Sequence, residues 1–236
     1  MGKIINTISQ NVYEIRYKAN PLVLDNRGQL VNYAAKIFRL EEWSIGENIS
    51  VIENKKEGFK IFISHENMGI SAYNNITAEE FGNHVENLNN LNVALGFLSD
   101  NIITRIGIRN RKCISYDHSF EKLIKVCQER YISIPQEIID MIGMNLSDFA
   151  YPLNYNLNDI NINTNCGPMK GDQAFANFME YYVRESVPNI GLYVDVDSYQ
   201  IQNLNNSTDD LNTISKKLLS CSFEKVKDIE RKILGK

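Results

Sequence analysis

Hydrophobic and polar residues alternate with period two along Val12–Tyr17, which predicts a β-strand with one buried face, ended by Pro21. From Gln29 to Leu40 the period changes: Leu30, Tyr33, Ala34, Ile37 and Phe38 recur at helical spacing and predict a helix with a single buried stripe. Ile49–Ile52 predicts a short strand, and Phe59–Ile63 with Met68–Tyr73 a hairpin around the polar turn Ser64–Asn67. Thr77-Ala78-Glu79-Glu80 is a capping box, with Ile76 and Phe81 in the positions of a hydrophobic staple. Phe81, Val85, Leu88, Leu91 and Leu95 carry that helix on towards Phe97. Ile102–Arg109 then predicts a strand with Ile106 and Ile108 on one face and Arg105, Gly107 and Arg109 on the other.

The middle of the chain is less regular. Phe120–Gln128 and Gln136–Met144 predict short helices, Tyr151–Cys166 one or two polar strands, and Gly167–Gly171 a turn or exposed loop. Ile190–Tyr199 predicts a strand and Asn203–Asn206 a loop. Ser207 or Thr208 then caps a long helix from Asp209 towards Leu234, with acids early and Lys225, Lys227, Arg231 and Lys232 late, as the helix dipole prefers. The expected fold class is α+β: a curved antiparallel β-sheet packed against helices, with a long C-terminal helix. No linker rich in Pro, Gly or Ser divides the chain, so one domain over 1–236 is the economical reading. Each half, 1–115 and 116–236, holds a strand pair followed by a capped helix, which leaves a duplication as the alternative.

Composition narrows the setting. With 236 residues, 43% hydrophobic and 23% charged, the chain has the makeup of a globular protein. A net charge of −4 argues against a nucleic-acid coat or a polybasic membrane patch, both of which need clustered Lys and Arg. No run approaches the roughly 18 apolar residues of a membrane span, and no signal-peptide core is present, so a cytoplasmic protein is expected. Repeated Asn-Asn steps with abundant Ile and Lys fit an AT-rich bacterial or phage genome. Cys113, Cys127, Cys166 and Cys221 are too widely spaced for a disulfide framework or a zinc site and are expected reduced and buried. His65, His84 and His118 add no Cys–His spacing, Glu14 and Glu66 lie at scattered positions, and no cofactor motif occurs.

Two stripes remain as candidate chemistry. Arg105, Arg109 and Arg111 project from one face of their strand, and guanidinium forks suit a carboxylate, a phosphate or an acidic partner. Asp195 and Asp197 alternate with Tyr193 and Tyr199 on another strand, about 7 Å apart, a spacing at which two carboxylates can share a hard cation. If the two strands are neighbours, Arg–Asp pairs quench both stripes at once, and that is the favoured expectation. The twelve tyrosines suit an interface or peptide groove, and half-buried strand positions equally.

Three stretches carry a family resemblance: Tyr73-Asn74-Asn75-Ile76-Thr77-Ala78-Glu79-Glu80-Phe81, Thr104-Arg105-Ile106-Gly107-Ile108-Arg109, and Leu192-Tyr193-Val194-Asp195-Val196-Asp197-Ser198-Tyr199 before a long helix with Phe223-Glu224. Together these resemble a sporadically distributed family of uncharacterised bacterial proteins of similar length. Members tend to follow the Arg-Ile-Gly-Ile-Arg strand with Tyr and Asn, whereas Asn110-Arg111-Lys112 stands here. The resemblance implies no catalytic residues; its patchy distribution implies a mobile gene of the kind found beside phage-defence or toxin–antitoxin modules. The expected function is therefore a non-enzymatic protein-binding, accessory or chaperone-like role. It would work through the sheet or the long helix on another protein or a second copy of itself, not on nucleic acid or a membrane. A metal-dependent hydrolase or nuclease using Asp195 and Asp197 is the alternative.

Overall fold

The computed structural model describes residues 7–40, 42–73, 75–94, 103–132, 135–142, 148, 150–204 and 208–235. Nine strands form one antiparallel sheet: β1 (Thr7–Tyr17), β2 (Glu42–Ile45), β3 (Ile49–Asn54), β4 (Phe59–Ser64), β5 (Asn67–Ala72), β6 (Ile103–Ser115), β7 (Tyr151–Leu157), β8 (Ile160–Lys170) and β9 (Ile190–Leu204). The helices are α1 (Pro21–Asp25), α2 (Arg27–Phe38), α3 (Ala78–Ala94), α4 (Phe120–Cys127), α5 (Gln136–Ile142), α6 (Gly171–Phe178) and α7 (Thr208–Leu234). A π-helical turn follows α4 and a 3-10 turn follows α6. Among the described residues no helix is long and apolar enough to cross a membrane.

The strand order is β2-β3-β4-β5-β1-β6-β9-β8-β7. The central pair, β1 and β6, opens two runs of the chain with similar order: strand, helices, antiparallel strands, helix. In the first run β5 returns beside β1, and in the second β9 returns beside β6.

Alternation along each strand divides the sheet into two faces. One carries Tyr13, Ile15, Ile61, Ile70, Ile106, Ile108, Val194 and Val196, all at most 1% exposed, and α3 and α7 cover it. The stripe on α7 read from sequence is what does the covering: Leu211, Ile214, Leu218, Phe223, Val226 and Ile233 are buried. Thr77 accepts the Glu80 amide at 3.1 Å and the Glu80 carboxylate accepts the Thr77 amide at 2.9 Å, so the capping box fixes where α3 begins. A buried polar pin ties sheet to helices: the Tyr13 hydroxyl donates to Asn89 Oδ1 (2.7 Å) and accepts from Ser215 (2.9 Å).

Among the described residues the other face is crossed by a single helix, α6, which closes a small second core of Ile8, Cys113, Ala174, Phe178, Val187 and Tyr193 at one end. The turn after α6 reaches further. Glu180 bonds Lys60 and Tyr73, Tyr181 stacks on Tyr73 with centroids 3.8 Å apart, and the Tyr181 hydroxyl donates to Glu53.

Several elements depart from the sequence reading. Gly167–Gly171 is not an exposed loop: Gly167–Lys170 continue β8, Gly167 and Pro168 are buried, and Gly171 starts α6. β7 pairs with β8 only as far as Cys166, so Pro168 sits where β8 has become an edge and no ladder donor is missed there. Strand β6 runs on past Arg109 to Ser115, and β9 past Tyr199 through Asn203 to Leu204. The proposed helix ends at Phe97 and Met144, the Ser207 cap and the Asn205–Asn206 loop lie outside the described residues.

Candidate functional site

The register of β1, β6 and β9 decides where the charged stripes go. Gln10, Val12, Glu14 and Arg16 of β1 lie opposite Arg111, Arg109, Gly107 and Arg105 of β6, all on the face away from α7. On the other side of β6, Arg109 lies opposite Asp197, Arg111 opposite Asp195 and Gly107 opposite Tyr199. The two stripes are therefore neighbours, and they pair.

The pairing is diagonal rather than straight across. Arg109 donates from Nε and Nη2 to the two oxygens of Asp195, at 2.9 and 2.6 Å. Arg105 does the same to Asp197 through Nη2, at 2.8 Å to both oxygens. Arg109 thus reaches one rung past its direct partner, within the 7–8 Å span that long side chains bridge between diagonal neighbours. Arg105, which lies opposite Ile201, reaches two rungs along, past Tyr199, to Asp197. Gly107 makes this possible for Arg105. The Arg105 guanidinium lies only 2.9–3.1 Å from where a Cβ at 107 would stand. It lies 4.4 Å from the Tyr199 ring and also donates to Glu14 at 3.2 Å. Glu14 in turn holds Arg16 at 2.9 Å and accepts from Asn67.

Burial tunes these groups. Asp197 is pushed above its ordinary range by burial, which outweighs the opposing pull of Arg105 and Arg109. Hydrogen bonding to Asp195 raises the already high Arg109 pKa against the opposite pull of burial. The Tyr193 hydroxyl donates to Asp195 at 3.1 Å, and burial with the neighbouring carboxylate pushes that phenol up to about 12. Arg111 is the exception among the arginines. Among the described residues its side chain makes no hydrogen bond or ion pair, its Nε is buried without an acceptor, and its guanidinium lies 5.6 Å from the Phe178 ring. A pocket of about 260 Å³ opens beside it over β1 and β6, walled by Phe62 and floored by Val12 and Gly107.

All the residues singled out from sequence, Arg105, Arg109, Arg111, Tyr193, Tyr199, Asp195 and Asp197, therefore lie on one face. As a cation site the Asp pair is poorly placed, because each carboxylate already gives both oxygens to an arginine. Among the described residues no group of three His, Cys, Asp or Glu side chains comes together for a metal. Glu14, Gln10, Phe62 and Phe178 belong to the site and were not predicted. Glu14 lies within the alternation of Val12–Tyr17, and extending that alternation back would have placed Gln10, but nothing local marks Phe62 or Phe178. His65 and Glu66 form the β4–β5 turn, His118 packs on Tyr116, and His84 lies against Phe59 at 4.5 Å on the helix-covered side. The four cysteines are free and buried, and burial pushes the Cys113 and Cys127 thiols up to about 12, away from nucleophilic use.

No family model matches the chain, and no curated protein does. Solved structures to which it is similar include the TBP of Methanococcus jannaschii, at 10% identity over 93% of this chain and 99% of that one, with a TM-score of 0.26. Another is the rolling circle replication initiator protein from Geobacillus stearothermophilus, at 9% identity over 97% of this chain and 85% of that one, also with a TM-score of 0.26.

Proposed function

We propose that the protein is a non-enzymatic binding protein that holds another protein against the face of its sheet not covered by α7. Two surfaces were candidates from sequence, the sheet and the long terminal helix. The carrying observation is that the apolar stripe of α7 is spent on the protein's own core, from Leu211 at 2% exposure to Val226 and Ile233 at 0%. What remains on the sheet is a face of Arg, Asp, Asn and Tyr side chains, with a pocket over β1 and β6 and, among the described residues, α6 and the turn after it across one end. Aromatic and arginine side chains on a rigid sheet are the residue types that anchor protein interfaces. An accessory or chaperone-like role beside a phage-defence or toxin–antitoxin module is the setting that the family resemblance suggests. A hydrolase or nuclease built on Asp195 and Asp197 has no comparable support, since arginines occupy both carboxylates.

A displayed library of random peptides selected on the full-length protein tests the reading. Binders should lose affinity about tenfold or more when the open face is changed by Asn163→Arg or Arg16→Glu. They should be indifferent to Lys217→Glu on the exposed side of α7. Binders that ignore both face changes and respond to the α7 change would overturn it, as would a selection that enriches nothing.

A further inference from the structure

We infer that Arg111 is the seat for a carboxylate of the bound partner, an Asp or Glu side chain or a chain terminus. The inference takes the identity of the ligand from the preceding proposal, but the seat itself rests on charge accounting. Around the pocket stand four arginines, and three carboxylates answer them. Glu14 holds Arg16 and Arg105, Asp197 holds Arg105, and Asp195 holds Arg109. Nearby Glu180 is held by Lys60 and Tyr73. Of the four arginines Arg111 is the one with no ion pair among the described residues; the Glu180 carboxylate, held by Lys60, feels its charge from a distance.

Its surroundings fit an anion and fit nothing already present. The Nε of Arg111 is shut off from solvent with no acceptor, an arrangement that disfavours the ligand-free state. Phe178 lies against the guanidinium and limits how far it can turn away to find water. The rung above shows how such an arginine is satisfied here: Arg109 takes Asp195 side-on, through Nε and Nη2 together. Arg111 lies beside the pocket, and its Nη groups, which unlike Nε are not shut off from solvent, are the donors a carboxylate there can reach. A single planar fork matches the plane and single charge of a carboxylate, whereas a phosphate dianion is usually held by several cations. Because the chain as a whole carries −4, an isolated positive surplus at one pocket also steers selection towards an acidic group.

One competing arrangement is internal. Gln10 lies directly across the ladder from Arg111, both of its amide hydrogens are committed to Ser71 and Tyr73, and its Oε1 is buried without a donor. A small shift could bring Arg111 Nε onto that oxygen and close the seat.

Thermal melts of the full-length protein at fixed ionic strength decide the matter, with glutarate, acetate, phosphate or chloride as the added anion. Glutarate and acetate should raise the melting temperature saturably beyond chloride. The response should weaken about tenfold or more in Arg111→Gln and persist in Lys217→Gln on the exposed side of α7. A response no greater than chloride's would mean that Gln10 satisfies Arg111 and no seat exists. An undiminished response in Arg111→Gln would also overturn the assignment, and a stronger response to phosphate would replace the carboxylate with a phosphoryl group. If Arg111→Gln does not fold, the Arg111 Nε–H resonance of the wild-type protein serves instead. It should move on glutarate titration, and a stationary resonance sinks the seat. A glutarate response without face-directed peptides would leave the seat standing and remove the protein-binding reading; face-directed peptides without a glutarate response would do the reverse.

Discussion

Removing Arg109 should destabilise the protein more than removing its partner Asp195, because the two ends of this ion pair are unequally buried. The Asp195 side chain is 9% exposed and that of Arg109 48%. In Arg109→Ala the carboxylate loses two charge-assisted hydrogen bonds and keeps only the Tyr193 hydroxyl, with little access to water. Stranding it should cost about 2 kcal/mol, discounted from the 3–5 kcal/mol of a fully buried broken pair because one end is wet. In Asp195→Ala the guanidinium can turn into solvent, and the loss should be about 1 kcal/mol. The double mutant should cost well under the sum, with a coupling of about 1 kcal/mol. For a chain of this length the larger change corresponds to roughly 4–8 °C in melting temperature. Urea and thermal unfolding of wild type, both single mutants and the double mutant supply the cycle. Coupling below about 0.5 kcal/mol would mean the pair is ornamental, and a larger cost for Asp195→Ala would refute the burial argument.

Thr77→Ala removes the acceptor for the Glu80 amide at the start of α3 and should lower stability by about 1 kcal/mol, read as a shift in the urea midpoint at constant slope. His84 offers a pH test: burial holds its pKa below the ordinary 6.5, so the folded state favours the neutral ring. The associated stability is present above 6.5 and is lost as pH falls through the lower folded value, so His84→Phe should flatten the decline in melting temperature between about pH 7 and 5 relative to wild type. Deleting residues 209–236 uncovers Ile106, Ile108, Val194 and Val196 and discards at least six buried apolar side chains. At about 1.5–3 kcal/mol each the loss is as large as the whole stability of a typical domain, and the product should be insoluble or should bind ANS without near-UV circular dichroism.

Local pattern made much of this fold legible. The β4–β5 hairpin joins two runs rich in β-formers around a polar turn, α3 carries its cap in four consecutive residues, and α7 has a stripe long enough to mark it whatever its exact ends. The elements that escaped were those whose reason is elsewhere in the chain. Gly167, Pro168 and Gly171 are turn formers by local preference, but the ladder with β9 holds the first two in a strand. The space a side chain would need at Gly171 is filled by the guanidinium of Arg184, 2.6 Å from its missing Cβ. At the site, each stripe could be read along its own strand, and their meeting could be stated only as a condition. The decision lies in a register between Arg109 and Asp197, residues far apart in sequence. Which arginine would remain unpaired depends on the diagonal offset and on Gly107, neither of which periodicity records.

The central seam of the sheet also sets an order of events during synthesis. Strand β1 can pair with β5 once residues to 72 have emerged, but its other edge stays bare until β6 arrives at 103–115. The outer edge of β6 then waits until β9 at 190–204 is complete, and α7, which seals the core beneath both, comes last. A growing chain therefore exposes a succession of long unfinished edges, each a template for another chain's strand. Contacts this distant along the chain also slow folding once the chain is released. A second nascent copy that met the bare edge of β1 could donate its own β6, so exchange of halves between chains is the characteristic failure this architecture invites.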